Sequence, residues 1–250
     1  MPPPAGLETL ALVGAGFAAS VLNVLAGGGS FLTLPLLIFL GLPATEANGT
    51  NRLGVLAQNA GGVFAFHRHG VLDWRHALDA AAPAVPGAAL GAWLALQVGD
   101  RDFRRILATL MLAVTLFTLA DGGGRFASLL RGFAHRRLVL GLGFALVGVY
   151  AGFVQAGVGF LVLALTTLAG LDLVRGNAVK VAIILVTTAL SLAFFAVADK
   201  IHWAAGAALA AGSLAGSLVG VRLTVLKGHA WVRGVVTAAI VVFAVKLWLG

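Results

Sequence analysis

The chain reads as an all-α, polytopic membrane protein built from two inverted repeats with broken or re-entrant helices. Three observations predict this class. Of its 250 residues, 60% are hydrophobic and 10% charged, with a mean hydropathy of +1.01. A soluble domain carries roughly 25% charged residues, so these charges are too few to cover a water-exposed surface. Second, the chain matches itself without a gap at a shift of 129 residues: Gly28 meets Gly157, Gly41-Leu42 meets Gly170-Leu171, Asn48 meets Asn177, Phe66 meets Phe195 and Trp74 meets Trp203. Third, the second apolar piece of each half is short and follows a glycine-rich break. Short, Gly-interrupted segments at matching positions of two halves are the sequence mark of a transporter whose site lies where the repeats meet.

The first repeat, 1–120, divides into apolar pieces near 7–25, 31–41, 48–66, 76–98 and 104–120. The second, 137–250, repeats them near 137–154, 160–170, 176–197, 204–225 and 231–249. A cytoplasmic linker at 121–136 joins them into one integrated unit. A straight helix needs about 20 apolar residues to cross hydrocarbon, so the pieces at 31–41 and 160–170 cannot span it alone. They follow Ala26-Gly27-Gly28-Gly29-Ser30 and Gln155-Ala156-Gly157-Val158-Gly159. Such breaks free backbone N–H and C=O groups at membrane depth, where they must face ligand, water or protein. The start Met1-Pro2-Pro3-Pro4 lacks a positive n-region, so the first apolar piece reads as a retained helix.

Loop charge orients the chain. The 67–76 loop holds His67, Arg68, His69, Arg75 and His76 against Asp73. The 121–137 loop holds Arg125, Arg131, Arg136 and Arg137 against Asp121, and the 222–233 loop holds Arg222, Lys227 and Arg233. These three are placed inside and the 199–202 loop outside. Matched loops then face opposite sides, which inverts the repeats and puts both termini outside. The net charge of +8 reads as cationic loops facing anionic lipid, not as a nucleic-acid surface. No cysteine is present, which removes disulfide and thiolate chemistry. No His and acid spacing suits a metal, and no cofactor motif stands out, so neither metal nor cofactor is expected.

The candidate site is Asn48, Gly49, Thr50, Asn51 and Arg52, with Asn177 and Lys180 in the other half. Both groups are expected at the start of their repeat's third helix, where free N–H groups and the positive dipole end favour an anion. Arg52 and Lys180 are read as a repeat-related pair of cations converging on one anionic substrate, Arg52 through a bidentate fork and Lys180 as a point charge. The bland alternative makes the Asn and Thr residues ordinary N-caps and lets both cations snorkel to the interface. Gly28, Gly29 and Gly157 would allow close backbone approach, and Gln155 joins them as a lining residue. Gln58 and Asn59 either line the cavity or bond helix to helix. The Gly87/Gly91 and Gly212/Gly216/Gly220 stripes read as close packing, and Trp74 and Trp203 as interfacial anchors. Glu46 and Asp172, the acids near the broken segments, read as loop residues.

The run Gly27-Gly28-Gly29, then Phe31-Leu32-Thr33-Leu34-Pro35-Leu36-Leu37, Gly41, Ala47-Asn48-Gly49-Thr50-Asn51 and His67-Arg68-His69-Gly70-Val71-Leu72-Asp73-Trp74 resembles the TauE/SafE sulfite exporter family. The second repeat departs from the glycine-rich form, with Val158 and Ala164 where the first has Gly29 and Pro35. The resemblance implies export, or sometimes import, of sulfur-containing anions such as sulfite or organosulfonates across the bacterial inner membrane. The expectation is therefore a multi-pass secondary transporter working by alternating access, not an enzyme. Its partners are a small anionic substrate and membrane lipid, without nucleic acid; a homodimer is allowed. The rival readings are an anion channel and a transporter of another small carboxylate or oxyanion.

Overall fold

Each half of the chain puts a half-length helix between long ones, as the glycine breaks require. The computed structural model describes residues 5–25, 28–120 and 136–249, with side chains as far as Leu226 except those of Ala5, Met111, Val114, Thr115, 117–120 and Arg136. The linker at 121–135, with Asp121, Arg125 and Arg131, lies outside the described residues, as do Ala26 and Gly27 and the side chains of Lys227 and Arg233. The helices are α1 (Ala5–Leu25), α2 (Ser30–Phe39), α3 (Ala44–Arg68), α4 (Trp74–Gln97) and α5 (Asp100–Ala120) in the first half. The second half has α6 (Arg136–Phe153), α7 (Val158–Leu168), α8 (Leu173–Val197) and α9 (Trp203–Leu249). At about 1.5 Å per residue, the 10-residue α2 and 11-residue α7 reach only half-way across a bilayer.

The same turn chemistry closes both short helices. Gly41 and Gly170 both adopt φ +96, a left-handed conformation that glycine takes without steric cost. The following amides reach back five residues, Leu42 N–H to Leu37 C=O and Leu171 N–H to Thr166 C=O, the Schellman closure. α2 folds back on α1, so that a Cβ on Gly29 would lie 2.2 Å from the Ala19 carbonyl oxygen.

The repeats are interlaced. The two most extensive interfaces pair the first helix of each repeat with the fourth of the other, α1 with α9 and α4 with α6. Both are glycine seams. A Cβ on Gly91 would sit 2.0 Å from the Val149 carbonyl oxygen, and one on Gly212 would sit 1.9 Å from that of Val13. Without a side chain the backbones touch, which is how helices associate in lipid. Contacts along the seams fix direction. Gly16 meets Leu209 while Gly220 meets Val24, so α1 and α9 run parallel; Gly49 meets Phe195 while Gly62 meets Val181, so α3 and α8 run antiparallel.

Among the described residues, four helices are long and apolar enough to cross a membrane: Gly6–Leu25, Trp74–Gln97, Leu173–Val197 and Trp203–Leu226. Large apolar side chains face outward, among them Leu10, Phe17, Leu78, Leu146 and Leu218, as lipid demands. α3 is not one of the four although its equivalent α8 is. It carries Asn48, Asn51, Arg52, Gln58 and Asn59, all buried, and it packs among α2, α5, α8 and α9. Its polar face is turned to protein.

The structure corrects two expected boundaries. The 222–233 segment, read as an inside loop, is helical within a continuous 47-residue α9. Its sequence holds no proline, and a lone Gly228 costs a helix only about 1 kcal/mol. α3 and α8 also start earlier than the pieces at 48 and 176. Pro43 and Asp172 occupy the N-cap positions, and Asp172 accepts from the amides of Val174 and Arg175. Pro43 is the repeat equivalent of Asp172 and cannot cap, so Asp100 from α5 accepts from the Thr45 amide at 3.1 Å instead. Glu46 lies in the first turn of α3. At the other end of α3, Asp73 caps α4; the His76 amide holds its carboxyl below the usual range.

The 198–202 turn sits over the start of α3, where the His202 amide donates to Thr50 Oγ1 at 2.8 Å, while the 69–73 turn follows the end of α3. The two turns are therefore at opposite ends of the bundle. In this cysteine-free chain, Arg75→Cys and Lys200→Cys should react with an impermeant maleimide from opposite sides of the membrane; labelling of both from one side would contradict the arrangement.

Candidate functional site

A helix that stops inside a membrane leaves its last carbonyls without water and with the negative end of the helix dipole. α1 and α6 both stop at glycine breaks, and both ends are met by a cation from the other repeat. Lys180 of α8 donates from Nζ to the carbonyls of Asn23 at 2.7 Å and Val24 at 3.1 Å, in the last turn of α1. Its third bond goes to Asn177 Oδ1 at 2.6 Å, one helical turn back. Arg52 of α3 donates from Nη1 to the Ala151 carbonyl at 3.2 Å and from Nη2 to that of Gly152, in the last turn of α6. Asn48 Nδ2 adds the Phe153 carbonyl at 2.8 Å. Phe195 of α8 lies under the guanidinium, 4.6 Å away, and supplies a cation–π contact.

Neither cation snorkels, because both are 0% exposed. Nor are they strict equivalents: at the 129-residue shift Lys180 falls on Asn51, and Arg52 on Val181. Their target carbonyls are displaced by one residue in the opposite sense, Asn23 and Val24 against the equivalents of Ala151 and Gly152 at 22 and 23, so the two caps match to within one residue at each end. Asn48 and Asn177 are not N-caps either. They lie one turn inside helices that start at Ala44 and Leu173, with their own amides in the helical ladder. The free N–H groups expected there belong to residues upstream, already bonded to Asp100 and Asp172.

The remaining candidates disperse. Thr50 holds the 198–202 turn. Asn51 braces the start of α2, accepting from Thr33 Oγ1 at 2.6 Å and donating to Ser30 Oγ at 3.2 Å. Gln155 adopts φ +67 in the second break and donates from Nε2 to Thr188 Oγ1. Asn59 does neither of the things expected of it: its side chain donates within its own helix, to the Val55 carbonyl at 2.7 Å. Gly157 is left-handed at φ +73 and starts α7. Gly28 lies beneath Phe160, which stacks on its repeat equivalent Phe31 with ring centroids 6.4 Å apart. The starts of the two short helices therefore lie against each other. Asn23, whose side chain accepts from the Gly29 amide at 3.4 Å, is a participant that sequence reasoning missed. Its signal was a lone amide in an apolar run.

Two features of this interior bear on chemistry. Arg52 and Lys180 are both fully buried, and no Asp or Glu is buried among the described residues. Carbonyl dipoles offset part of that charge but cannot cancel it, since a buried ion costs several kcal/mol unless paired. Three donors and acceptors around them are also buried without partners: Arg52 Nε, Asn177 Nδ2 and Asn48 Oδ1. No group of three His, Asp or Glu residues suited to a metal occurs among the described residues.

Residues 12–247 match the family model described as sulfite exporter TauE/SafE. The relatives include a "Probable membrane transporter protein" of Haemophilus influenzae, 29% identical over 92% of this chain and 91% of its own length. "Probable membrane transporter protein ORF9" of Sinorhizobium sp is 27% identical over 93% and 89%. "Probable membrane transporter protein YfcA" of Escherichia coli K12 is 28% identical over 92% and 85%. No solved structure matches. The chain belongs to the TauE/SafE family.

Removing either cation strands two buried carbonyls, at about 1–3 kcal/mol per unsatisfied group. Lys180→Met and Arg52→Met should each lower the melting temperature of the purified protein by at least several degrees. Arg52→Lys should lose more than Lys180→Arg, because a single ammonium cannot reproduce the fork across Ala151 and Gly152. Wild-type melting in both Met variants would show that the caps are not needed.

Proposed function

We propose that this member of the TauE/SafE family is a secondary transporter of small sulfur-containing anions, of the sulfite or organosulfonate class, in the bacterial inner membrane. The observation that carries the reading is the buried pair Arg52 and Lys180 with no buried acid among the described residues. An interior of net positive charge and low dielectric is costly when empty and favours an anion as its counter-ion. The unpartnered donors Arg52 Nε and Asn177 Nδ2 are groups such an anion would satisfy. The break at Gly28 lies against Phe160, just beyond the break at Gly157, so backbone from both repeats comes close there.

Alternating access is supported by the opposite running of α3 and α8, which are repeat equivalents. Inverted repeats provide two arrangements of similar energy, open to either side, by exchanging the conformations of the halves. The cross-repeat caps at α1 and α6 tie each break to the helix that would move it.

The test is flux into proteoliposomes. Inside-loaded sulfite should accelerate uptake of labelled sulfite, and the rate should saturate. Arg52→Gln and Lys180→Gln should each reduce it by about tenfold or more, the cost of one lost charge-assisted hydrogen bond of about 1.5–3 kcal/mol. Flux that rises linearly without counterflow would make the protein a channel, and transport of acetate but not sulfite would make the cargo a carboxylate.

A further inference from the structure

α3 has a second polar row beside the one that holds Arg52. Asn51, Gly54 and Gln58 line a narrow cavity together with Gly29, Ser30 and Thr33 at the start of α2 and Ser213 of α9. Its volume, about 10 Å³, is room for one water-sized group. The hydrogen bonds around it decide what that group can be. Asn51 Nδ2 gives a proton to Ser30 Oγ, so the Ser30 hydroxyl accepts there and keeps its own proton to donate. Asn51 Nδ2 has a second proton left. Thr33 has spent its proton on Asn51 Oδ1, and Ser213 has spent its own on the Gly16 carbonyl. Gln58 is 4% exposed and borders the cavity, and its side-chain amide forms no hydrogen bond among the described residues. That amide can turn its NH2, with two further donors, toward the cavity and its oxygen away. The cavity is lined without a carboxylate and stands next along α3 from the buried Arg52.

The matching positions of the second repeat do not reproduce this polar lining. At the 129-residue shift Ser30 becomes Gly159, Thr33 becomes Val162, Gly54 becomes Ile183 and Ser213 becomes Ala84. Val162, Ile183 and Ala84 belong instead to a closed apolar cluster. At the fifth position Gln58 becomes Thr187, which bonds its own helix at Ile183.

We propose that this cavity is the substrate-oxygen subsite of the transporter, in which Ser30, Asn51 and Gln58 hold one oxygen of an anionic sulfur oxyanion by neutral hydrogen bonds. It rests on the anion-transport reading above and deepens it. The site is asymmetric: its polar lining comes from α2 and α3 of the first repeat with Ser213 of α9, and the matching positions of the other repeat do not reproduce it. The cations set the field, and the neutral donors set the position. Neutral donors suit a transported anion, because a substrate held by direct ion pairs would be released slowly.

The experiment is calorimetric titration of the purified protein with sodium sulfite, against sodium chloride at equal ionic strength. Ser30→Ala and Gln58→Met, the second of similar volume, should each weaken sulfite binding by about tenfold or more. Gly54→Ala, whose methyl would stand 3.2 Å from Ser213 Oγ, should do the same by filling the space, and it serves if Gln58→Met does not fold. Thr187→Val, the change at the matching position of the other repeat, should bind as wild type. Wild-type affinity in Ser30→Ala and the Gln58 or Gly54 variant would overturn the subsite while leaving the transport reading intact. Equal weakening in Thr187→Val would overturn the asymmetry on which it stands. Stabilisation by sodium, whatever the anion, that Gln58→Met abolishes would make the cavity a cation site. Absence of sulfite, methanesulfonate or acetate binding by the wild type would sink the anion-transport reading itself.

Discussion

The constraint on which the rest of this structure depends is that backbone carbonyls cannot be left bare at membrane depth. Breaking α1 and α6 at glycines creates two such ends, each also carrying the negative end of a helix dipole. Water is the usual partner for helix ends and is scarce there. The chain solves the problem crosswise. Lys180 of the second repeat closes α1, and Arg52 of the first closes α6. Each cation needs the other repeat to be buried at all, and each broken helix needs the other repeat's cation.

That crosswise dependence explains the interlaced packing. Long interfaces join α1 to α9 and α4 to α6 instead of joining neighbours in sequence, and glycine seams let those backbones touch. It also explains why α3, less apolar than its equivalent α8, sits inside. Its amides and guanidinium are the fittings for α6, α2 and the 198–202 turn, and lipid would leave them unsatisfied. The same fittings leave a net positive interior among the described residues, which is what links the architecture to the proposed anion transport.

The repeat, the two short helices and the packing role of the glycine stripes were legible in the sequence, because each rests on a local pattern: an ungapped self-match, an apolar run of a dozen residues, a four-residue spacing. The site was legible in its residues but not in its geometry. Asn48, Asn51, Arg52, Asn177 and Lys180 all prove buried and bonded, yet what they bond could not be read, since Ala151, Gly152, Asn23 and Val24 contribute backbone that carries no sequence signature. The helix starts were misplaced because Pro43 hides a cap that Asp100 supplies from 55 residues away. Ser30, Thr33 and Ser213 escaped notice because isolated hydroxyls in apolar helices commonly bond their own backbone, as Thr187 and Ser191 do here. The expected loop at 222–233 failed for the reverse reason: charge marked it as aqueous, but nothing in it stops a helix.

The central claim, that each broken helix is closed by the other repeat's cation, is tested most directly by hydrogen exchange at the two helix ends. In Lys180→Met, amide exchange should accelerate in the last turn of α1, through Val24, and stay at the wild-type rate in the last turn of α6. In Arg52→Met the pattern should reverse, with acceleration around Ala151 and Gly152 alone. Exchange that rises only within the altered residue's own repeat, or at neither end, would contradict the account.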